Sequence, residues 1–571
     1  MSIETETETT TTSKAEVDAG QFSTASISNG DNQVMEKNDT IAAFDGEEKT
    51  EFFYLEGWRL WAIMGTLYLN TLLAALDVGI IATAIPAITD EFLQLNYVGW
   101  YGGTIFLTLS TASPVWGKLY KYVSARYVYL VSIVIFLVGS IVAATAKSSI
   151  PFIIARALQG LGCSGSIGGS VLMINYVAHP AKQPMLIGLW ATVYMISTII
   201  GPLIGGAFTS HVTWRWCFWI NLPVGGPVLV AVILFFHVPK HVKYSKATWK
   251  EIILQLDLPG FAFIFTSLVC YTIALQWGGL TKPWSDGNVI ATLVMWVVLT
   301  IGFFVVEYFQ GERAMMPLRL LKTRLQWTNT LYAMMVNCAE FQVLFYLPIY
   351  FQSVHGQSAI ASGVNTLPFI AFFALGSMMS GGIIGKTRIF QPFLLAGGLL
   401  ATVGAALLYT VELKSSKARY LGSQVIFGFG IGLGCQVPLM ALQSFTSPED
   451  VASVTGIIVM MNSLSGGYFV TAAESVFDNR LLESLAVSAP SINPGLVLAT
   501  GATQLRGVFK GQDLTAILAG YMAGVKDVFA WSLAGAAFTA VLALVVPFKK
   551  MPPVEDASAK EKSEDEKEET V

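Results

Sequence analysis

The sequence predicts an all-α integral membrane protein of 14 transmembrane helices. They form two six-helix bundles as a parallel pseudo-repeat, plus two extra central helices. Three observations lead there: a charge-poor, apolar composition, 14 apolar stretches of helical length, and an internal repeat with a constant offset. Of the 571 residues, 54% are hydrophobic and only 13% are charged, and the mean hydropathy is +0.59. A soluble domain carries about 25% charged residues, so most of this chain faces something other than water. That excludes an ordinary cytosolic enzyme, a disordered chain and a nucleic-acid-binding protein.

Charge is unevenly placed. Residues 1–57 hold 13 acidic and 3 basic side chains, and residues 549–571 hold 8 and 5. The body between them holds 17 acidic and 26 basic side chains, a net of +9. The first tail is low-complexity and has no core-forming pattern, so it reads as disordered. It lacks the basic-then-apolar form of a signal peptide. A bilayer-crossing helix needs about 20 mostly apolar residues. Such stretches run at roughly 59–86, 97–116, 128–146, 151–174, 185–208, 216–236, 257–277, 287–308, 327–351, 362–384, 391–411, 420–441, 452–474 and 525–547. They are too long, and alternate too little, to be barrel strands.

Lys and Arg between the spans set the orientation. One set of connections carries 14 of them, from Lys118, Lys121 and Arg126 through Arg319 to Lys386 and Arg388. The alternate loops carry six: Lys147, Arg215, Lys282, Lys414, Lys417 and Arg419. The richer set is expected in the cytosol, and an even number of spans then puts both tails there. The Asn38-Asp39-Thr40 sequon falls in a tail and is expected to stay unglycosylated.

The repeat is visible in two places. Arg156-Ala157-Leu158-Gln159-Gly160-Leu161-Gly162 in span 4 matches Gln424-Val425-Ile426-Phe427-Gly428-Phe429-Gly430 in span 12, an offset of 268. The same offset carries Gly117-Lys118 onto Gly385-Lys386. The expected organisation is a cytosolic tail 1–57, an N-terminal six-helix bundle 58–239, a linker with two inserted helices 240–326, a C-terminal six-helix bundle 327–548 with a long outer loop at about 475–524, and a tail 549–571. Repeats of this kind are how one large class of transporters builds alternating access.

Several segments carry a family resemblance. They are Leu76-Asp77 through Ile85-Pro86 in span 1, Arg156 to Gly160 in span 4, Gly188 and Gly201-Pro202-Leu203-Ile204-Gly205-Gly206 in span 5, and Trp214-Arg215-Trp216 through Asn221-Leu222-Pro223 at span 6. Ala274 to Gly279 and Tyr346 to Gln352 add to them. In order and on these spans, they resemble the 14-span drug:proton antiporters of the major facilitator superfamily, and most of all the fungal branch that exports toxins and secondary metabolites. The resemblance covers about 58–548. It implies export of a small hydrophobic molecule in exchange for protons, at the plasma membrane. It also implies that Gly188, Gly201, Pro202, Gly205 and Gly206 form the antiporter element where the two halves rock. One departure stands out. After span 2 the superfamily reads G-x-L-x-D-R-x-G-R-R, whereas here Lys121 replaces the acid and Tyr122 the first arginine, which puts the charge lock usually built there in doubt.

Read residue by residue, Asp77 is the sharpest candidate. A carboxylate in hydrocarbon costs several kcal/mol unless paired or wetted; burial raises its pKa and a nearby cation lowers it. By helical rise, Asp77 sits roughly 7 Å outward of the middle of span 1 and Arg156 roughly 8 Å outward of the middle of span 4, so the two share a depth. The pair is expected either to couple to protons or simply to clamp two helices. Glu340, mid-span 9, has no basic residue on its own helix; it is expected to line a cavity or to be protonated and bonded to a neighbour. Gln342 and Gln159 are weaker cavity candidates. Glu307 and Glu474 are expected to reach water, and Trp214, Trp216, Trp219, Trp58 and Trp100 to anchor at the membrane interface.

No catalytic cluster, no CxxC or HExxH pattern and no phosphate-binding G-x-x-x-x-G-K-[ST] loop is present, so the expectation is no enzyme, no metal, no cofactor and no ATP. The expected partners are a small-molecule substrate, protons and the lipid bilayer, not nucleic acid. Two other readings stay open at this point: a vacuolar carrier of basic amino acids or siderophores on the same scaffold, and a non-transporting membrane sensor.

Overall fold

The computed structural model describes residues 55–92, 98–236, 238, 244–245, 247–413, 415–500 and 505–552. The first tail up to residue 54 with its sequon, the second tail beyond 552, and Lys240, Lys243 and Lys246 of the basic stretch lie outside them.

Helices dominate the described residues. The first half holds α1 (Gly57–Phe92), α2 (Val98–Tyr122), α3 (Ala125–Thr145), α4 (Ser149–Val177), α5 (Gln183–His211) and α6 (Asn221–Phe235, preceded by a turn at Trp216–Trp219). Next come α7 (Leu258–Trp277) and α8 (Gly287–Gln310). The second half holds α9 (Arg324–Ile349), α10 (Ala359–Thr387), α11 (Gln391–Tyr409), α12 (Lys417–Gly434, resuming at Val437–Ser444), α13 (Val451–Ser465, continuing through a π-turn to Ser488) and α14 (Gly511–Val545). Thirteen of the described helices are long and apolar enough to cross a membrane. The other one, α2, has 25 residues, and its Gly, Ser, Thr and two Lys make it less apolar.

Local sequence explains several helix starts. Thr323 Oγ1 accepts the Gln326 N–H at 3.2 Å while Gln326 Oε1 accepts the Thr323 N–H at 3.1 Å, a reciprocal cap for α9. Asp257 starts α7 from a left-handed backbone (φ 47°), its Oδ1 accepting the Gly260 N–H at 3.0 Å. The expected outer loop at 475–524 is shorter than that. Helix α13 runs on to Ser488 and α14 begins at Gly511. The extensions, such as Ser475 to Ser488, carry acids and Arg480, so apolarity marks only the membrane-depth part of a longer helix.

Packing follows the repeat. In the first half α1 packs on α5, α2 and α3 on α4, and α6 on α1 and α3. Adding eight to each number gives the second half: α9 on α13, α10 and α11 on α12, and α14 on α9 and α11. The halves meet along α2 with α13 and α5 with α10, two seams that exchange under the same operation. At the basic end these seams are closed backbone to backbone. A Cβ at Gly117 would lie 2.8 Å from the Ala452 carbonyl oxygen, and one at Gly381 2.5 Å from that of Pro184. Helices α7 and α8 pack on each other, and α7 also touches α2 and α13.

Candidate functional site

Four helices converge on Asp77. Its side chain and that of Arg156 are both fully enclosed, and Arg156 Nη1 donates to Asp77 Oδ2 at 2.5 Å. The second carboxylate oxygen, Oδ1, accepts from Gln159 Nε2 at 2.8 Å and from Asn221 Nδ2 at 3.0 Å. Both amides also donate to Ser140 Oγ, at 3.1 and 3.0 Å. Arg156 Nη1 further reaches Gln159 Oε1 at 2.9 Å, and Nε reaches the Tyr101 carbonyl at 3.1 Å. The site is therefore one anion and one cation, jointly neutral, in an amide and hydroxyl cradle. Such a pair persists in a dry interior only when its remaining lone pairs and protons find partners. Two polar atoms here have no hydrogen-bond partner among the described residues: Arg156 Nη2 and Asn221 Oδ1.

An aromatic plug covers this site. Phe152 packs edge-on against Tyr101 (5.3 Å), Phe218 (5.4 Å), Trp214 (5.8 Å) and Phe92 (6.2 Å). The Arg156 guanidinium lies 5.8 Å from the Phe218 ring centre. Trp214 is thus not an interface anchor as the sequence suggested: it is buried in the plug, where its N–H completes a bond to Glu91 at 2.8 Å. Trp58 and Trp216 are exposed. Arg215 grips Glu91 with two hydrogen bonds of 2.8 and 2.9 Å and holds that carboxyl below the usual carboxylate range.

The structure thus brings Asp77, Arg156 and Gln159 together. Gln159, expected on a cavity wall, serves the carboxylate instead. Asn221 and Ser140 were not singled out as site residues, although an asparagine opening an apolar span was a usable signal. Glu340 is buried, and its Oε2 accepts from Cys435 Sγ at 3.3 Å, at the break in α12. Asn337, one turn earlier on α9, bonds Asn462 of α13 at 3.0 Å. Gln342 donates to the Phe469 carbonyl at 2.8 Å, inside the π-turn Gly466–Val470 of α13. Tyr271 of α7 donates to the adjacent Tyr468 carbonyl at 3.0 Å. A π-turn leaves carbonyls out of the regular ladder, so Gln342 has a backbone to hold.

The glycine element divides in two. Gly188 faces the second half: a Cβ there would lie 2.9 Å from the Ser377 carbonyl of α10. Gly201 and Gly205 instead face α1, and Gly206 has open space. Pro202 lies within α5 between them, its Cδ against Gly79. At Gly205 an added Cβ would come within 2.6 Å of the Ile80 carbonyl oxygen. Gly205→Val is therefore expected to lower stability by about 1–3 kcal/mol through overpacking, read as a lower melting temperature in detergent; Gly206→Ala should leave it unchanged.

At the basic end, Lys121 bonds Asp450 at 2.7 Å, and Asp450 also accepts from Arg319 at 2.8 Å. Arg319 in turn pairs with Glu312 at 2.9 Å. The lysine that replaces an acid after span 2 is therefore matched by an acid at the start of α13. Lys118 is buried beside it, donating to Gln255 Oε1 at 3.0 Å and to the Glu312 carbonyl at 2.8 Å. Glu307 does not reach water as expected. It is buried, its Oε2 accepting the Met316 N–H at 2.7 Å, because the chain after α8 folds back over it. Glu474 is exposed. No metal-binding group of His, Cys, Asp and Glu exists among the described residues.

The comparisons agree with this architecture. Residues 67–470 match the family model described as Major Facilitator Superfamily. The chain is 66% identical to the "Efflux pump notK" of Aspergillus sp. (strain MF297-2), over 93% of each chain. It is 57% identical to the "Dehydrocurvularin exporter" of Alternaria cinerariae, over 92% of this chain and 91% of that one. Among solved structures, it is similar to the proton:xylose symporter XylE, with a TM-score of 0.57 at 14% identity, covering 88% of this chain and 98% of that one. That last likeness shows the fold alone. With this packing and these relatives, the chain belongs to the major facilitator superfamily and is a multi-pass membrane transporter rather than an enzyme.

Proposed function

We propose that this transporter exports a small, largely apolar secondary metabolite in exchange for protons, with the Asp77–Arg156 pair as the coupling site. The observation that carries the coupling is the enclosed carboxylate whose only cationic neighbour among the described residues is a guanidinium on another helix, its other hydrogen bonds coming from the Gln159 and Asn221 amides. Protonating Asp77 removes the charge that Arg156 answers, so proton binding and helix packing are linked there. The cargo class rests on the relatives, one named an efflux pump and another an exporter of dehydrocurvularin.

In this reading the basic end is cytosolic and both termini lie there, with the plasma membrane as the site of action and the vacuolar membrane as the alternative. The seams closed at the basic end make this conformation the one shut toward the cytosol. Asp77 takes a proton from outside, the pair loosens, and the halves rock. The substrate then enters between them, with Glu340 as one polar wall. Spans 1–6 and 9–14 are the moving bundles, and 240–326 connects them. The energy is sufficient: one charge crossing 100 mV is worth about 2.3 kcal/mol. The test is efflux of dehydrocurvularin from cells expressing the chain. The expected result is export that a protonophore collapses. Export that survives the protonophore and stops only on ATP depletion rejects the proposal.

A further inference from the structure

The second half also buries a carboxyl between its first and fourth helices, but at a different register: the repeat offset carries Asp77 onto Phe345, five residues past Glu340. Asp77 lies on the first helix of its half and its partner Arg156 on the fourth. Glu340 lies on α9, the first helix of the other half, and its partner Cys435 follows α12, the fourth. Carried across the repeat offset, Arg156 falls on Gln424, which is neutral, buried, and bonded to the Tyr420 carbonyl at 3.1 Å. Among the described residues, no arginine pairs with this second carboxyl. Among the described residues Glu340 makes no ion pair, and its hydrogen-bond partner is a thiol.

Among the described residues of the elements packed on α9, only α12 presents a titratable group to Glu340, namely Cys435. Across the seam, the Tyr194 phenol of α5 lies within electrostatic reach. A thiol and a phenol supply no positive charge. A carboxylate left unpaired in such a site is costly enough that it takes up a proton instead. Asp77 faces a guanidinium; among the described residues no cation faces Glu340.

We propose that Glu340 is a second proton-carrying carboxyl, so that two protons enter for each uncharged substrate molecule exported. This rests on the antiport reading above and gives its stoichiometry. With the basic end shut, Glu340 is enclosed and holds its proton. When the halves part beside Tyr194, water reaches the carboxyl, which ionises and releases the proton toward the basic end. Asp77 supplies the other proton, and the cycle then moves two positive charges inward with a neutral cargo.

The experiment uses the full-length protein in liposomes, with the membrane potential clamped at zero and dehydrocurvularin as the probe. A tenfold probe gradient is imposed, and the pH difference that nulls protein-dependent proton flux is read with a trapped pH dye. Two protons per molecule put the null at about 0.5 pH unit, one proton at about 1. The wild type is expected at about 0.5, Glu340→Gln at about 1, and Glu340→Asp at about 0.5. A wild-type null near 1, or a Glu340→Gln null unmoved from 0.5, overturns the proposal. If Glu340→Gln is not recovered folded, the wild-type null decides alone. A probe gradient that drives no proton flux in the wild type marks failure of the antiport reading itself.

Discussion

Asp77→Asn is expected to reach the membrane and to have lost proton-driven export. The variant keeps a carbonyl oxygen for Arg156, but its amide must face Gln159 or Asn221, which both donate to this position. One of those amides has to turn over, a cost of about 1–3 kcal/mol for a buried mismatched polar group. The complementary variant Arg156→Ala strands a carboxylate in the same enclosed site and is expected to cost more, about 3–5 kcal/mol. Melting temperatures in detergent should therefore fall in the order wild type, Asp77→Asn, Arg156→Ala. Efflux from intact cells should be lost in both. An Asp77→Asn protein that exports as the wild type does removes the residue from the mechanism.

Asp450→Asn carries the second large effect. One carboxylate, with 7% of its side chain exposed, holds Lys121 from the first half and Arg319 from the chain after α8. Each hydrogen bond to a charged group is worth about 1.5–3 kcal/mol; discounted for the half-exposed Arg319, the loss to the closed basic end is about 2 kcal/mol. That shifts a two-state balance by about 30-fold, and export at saturating substrate is expected to drop several-fold. Because Lys121 acts through Asp450, adding Lys121→Gln to Asp450→Asn should cost little more; additive losses contradict the lock. The pH dependence follows from the sign of the shift. Burial raises the Asp450 carboxyl, but the bonds to Lys121 and Arg319 outweigh it and hold it below its ordinary 3.8. A depressed carboxyl stabilises fully above the ordinary value and loses that stabilisation only as pH falls through the lower folded one. The difference in melting temperature between wild type and Asp450→Asn is therefore expected to stay flat from about pH 5 to 8.

The architecture was legible because apolar length is written directly into a membrane chain, and because the 268-residue offset is carried by residues that pack alike in both halves. Asp77 and Arg156 were legible for a related reason: few charges lie deep in the spans, and helical rise gives their depth. What escaped was pairing between helices far apart in sequence. Nothing local says that Asn221 and Ser140 complete the carboxylate's cradle, or that Asp450 answers Lys121 across 329 residues. Trp214 and Glu307 were misplaced because nearness to a span end was read as access to water. An aromatic plug buries the first and the chain returning after α8 buries the second. The long outer loop was overestimated because hydropathy ends where the membrane does, whereas α13 continues as helix to Ser488.

The most direct test of the central claim measures proton movement and substrate movement together in liposomes holding the purified protein. An outward dehydrocurvularin gradient is expected to drive protons inward through the wild type and through Gly206→Ala, and to drive none through Asp77→Asn. Substrate flux without counter-movement of protons in the wild type, or equal proton flux through Asp77→Asn, contradicts the assignment of Asp77 as the coupling carboxyl.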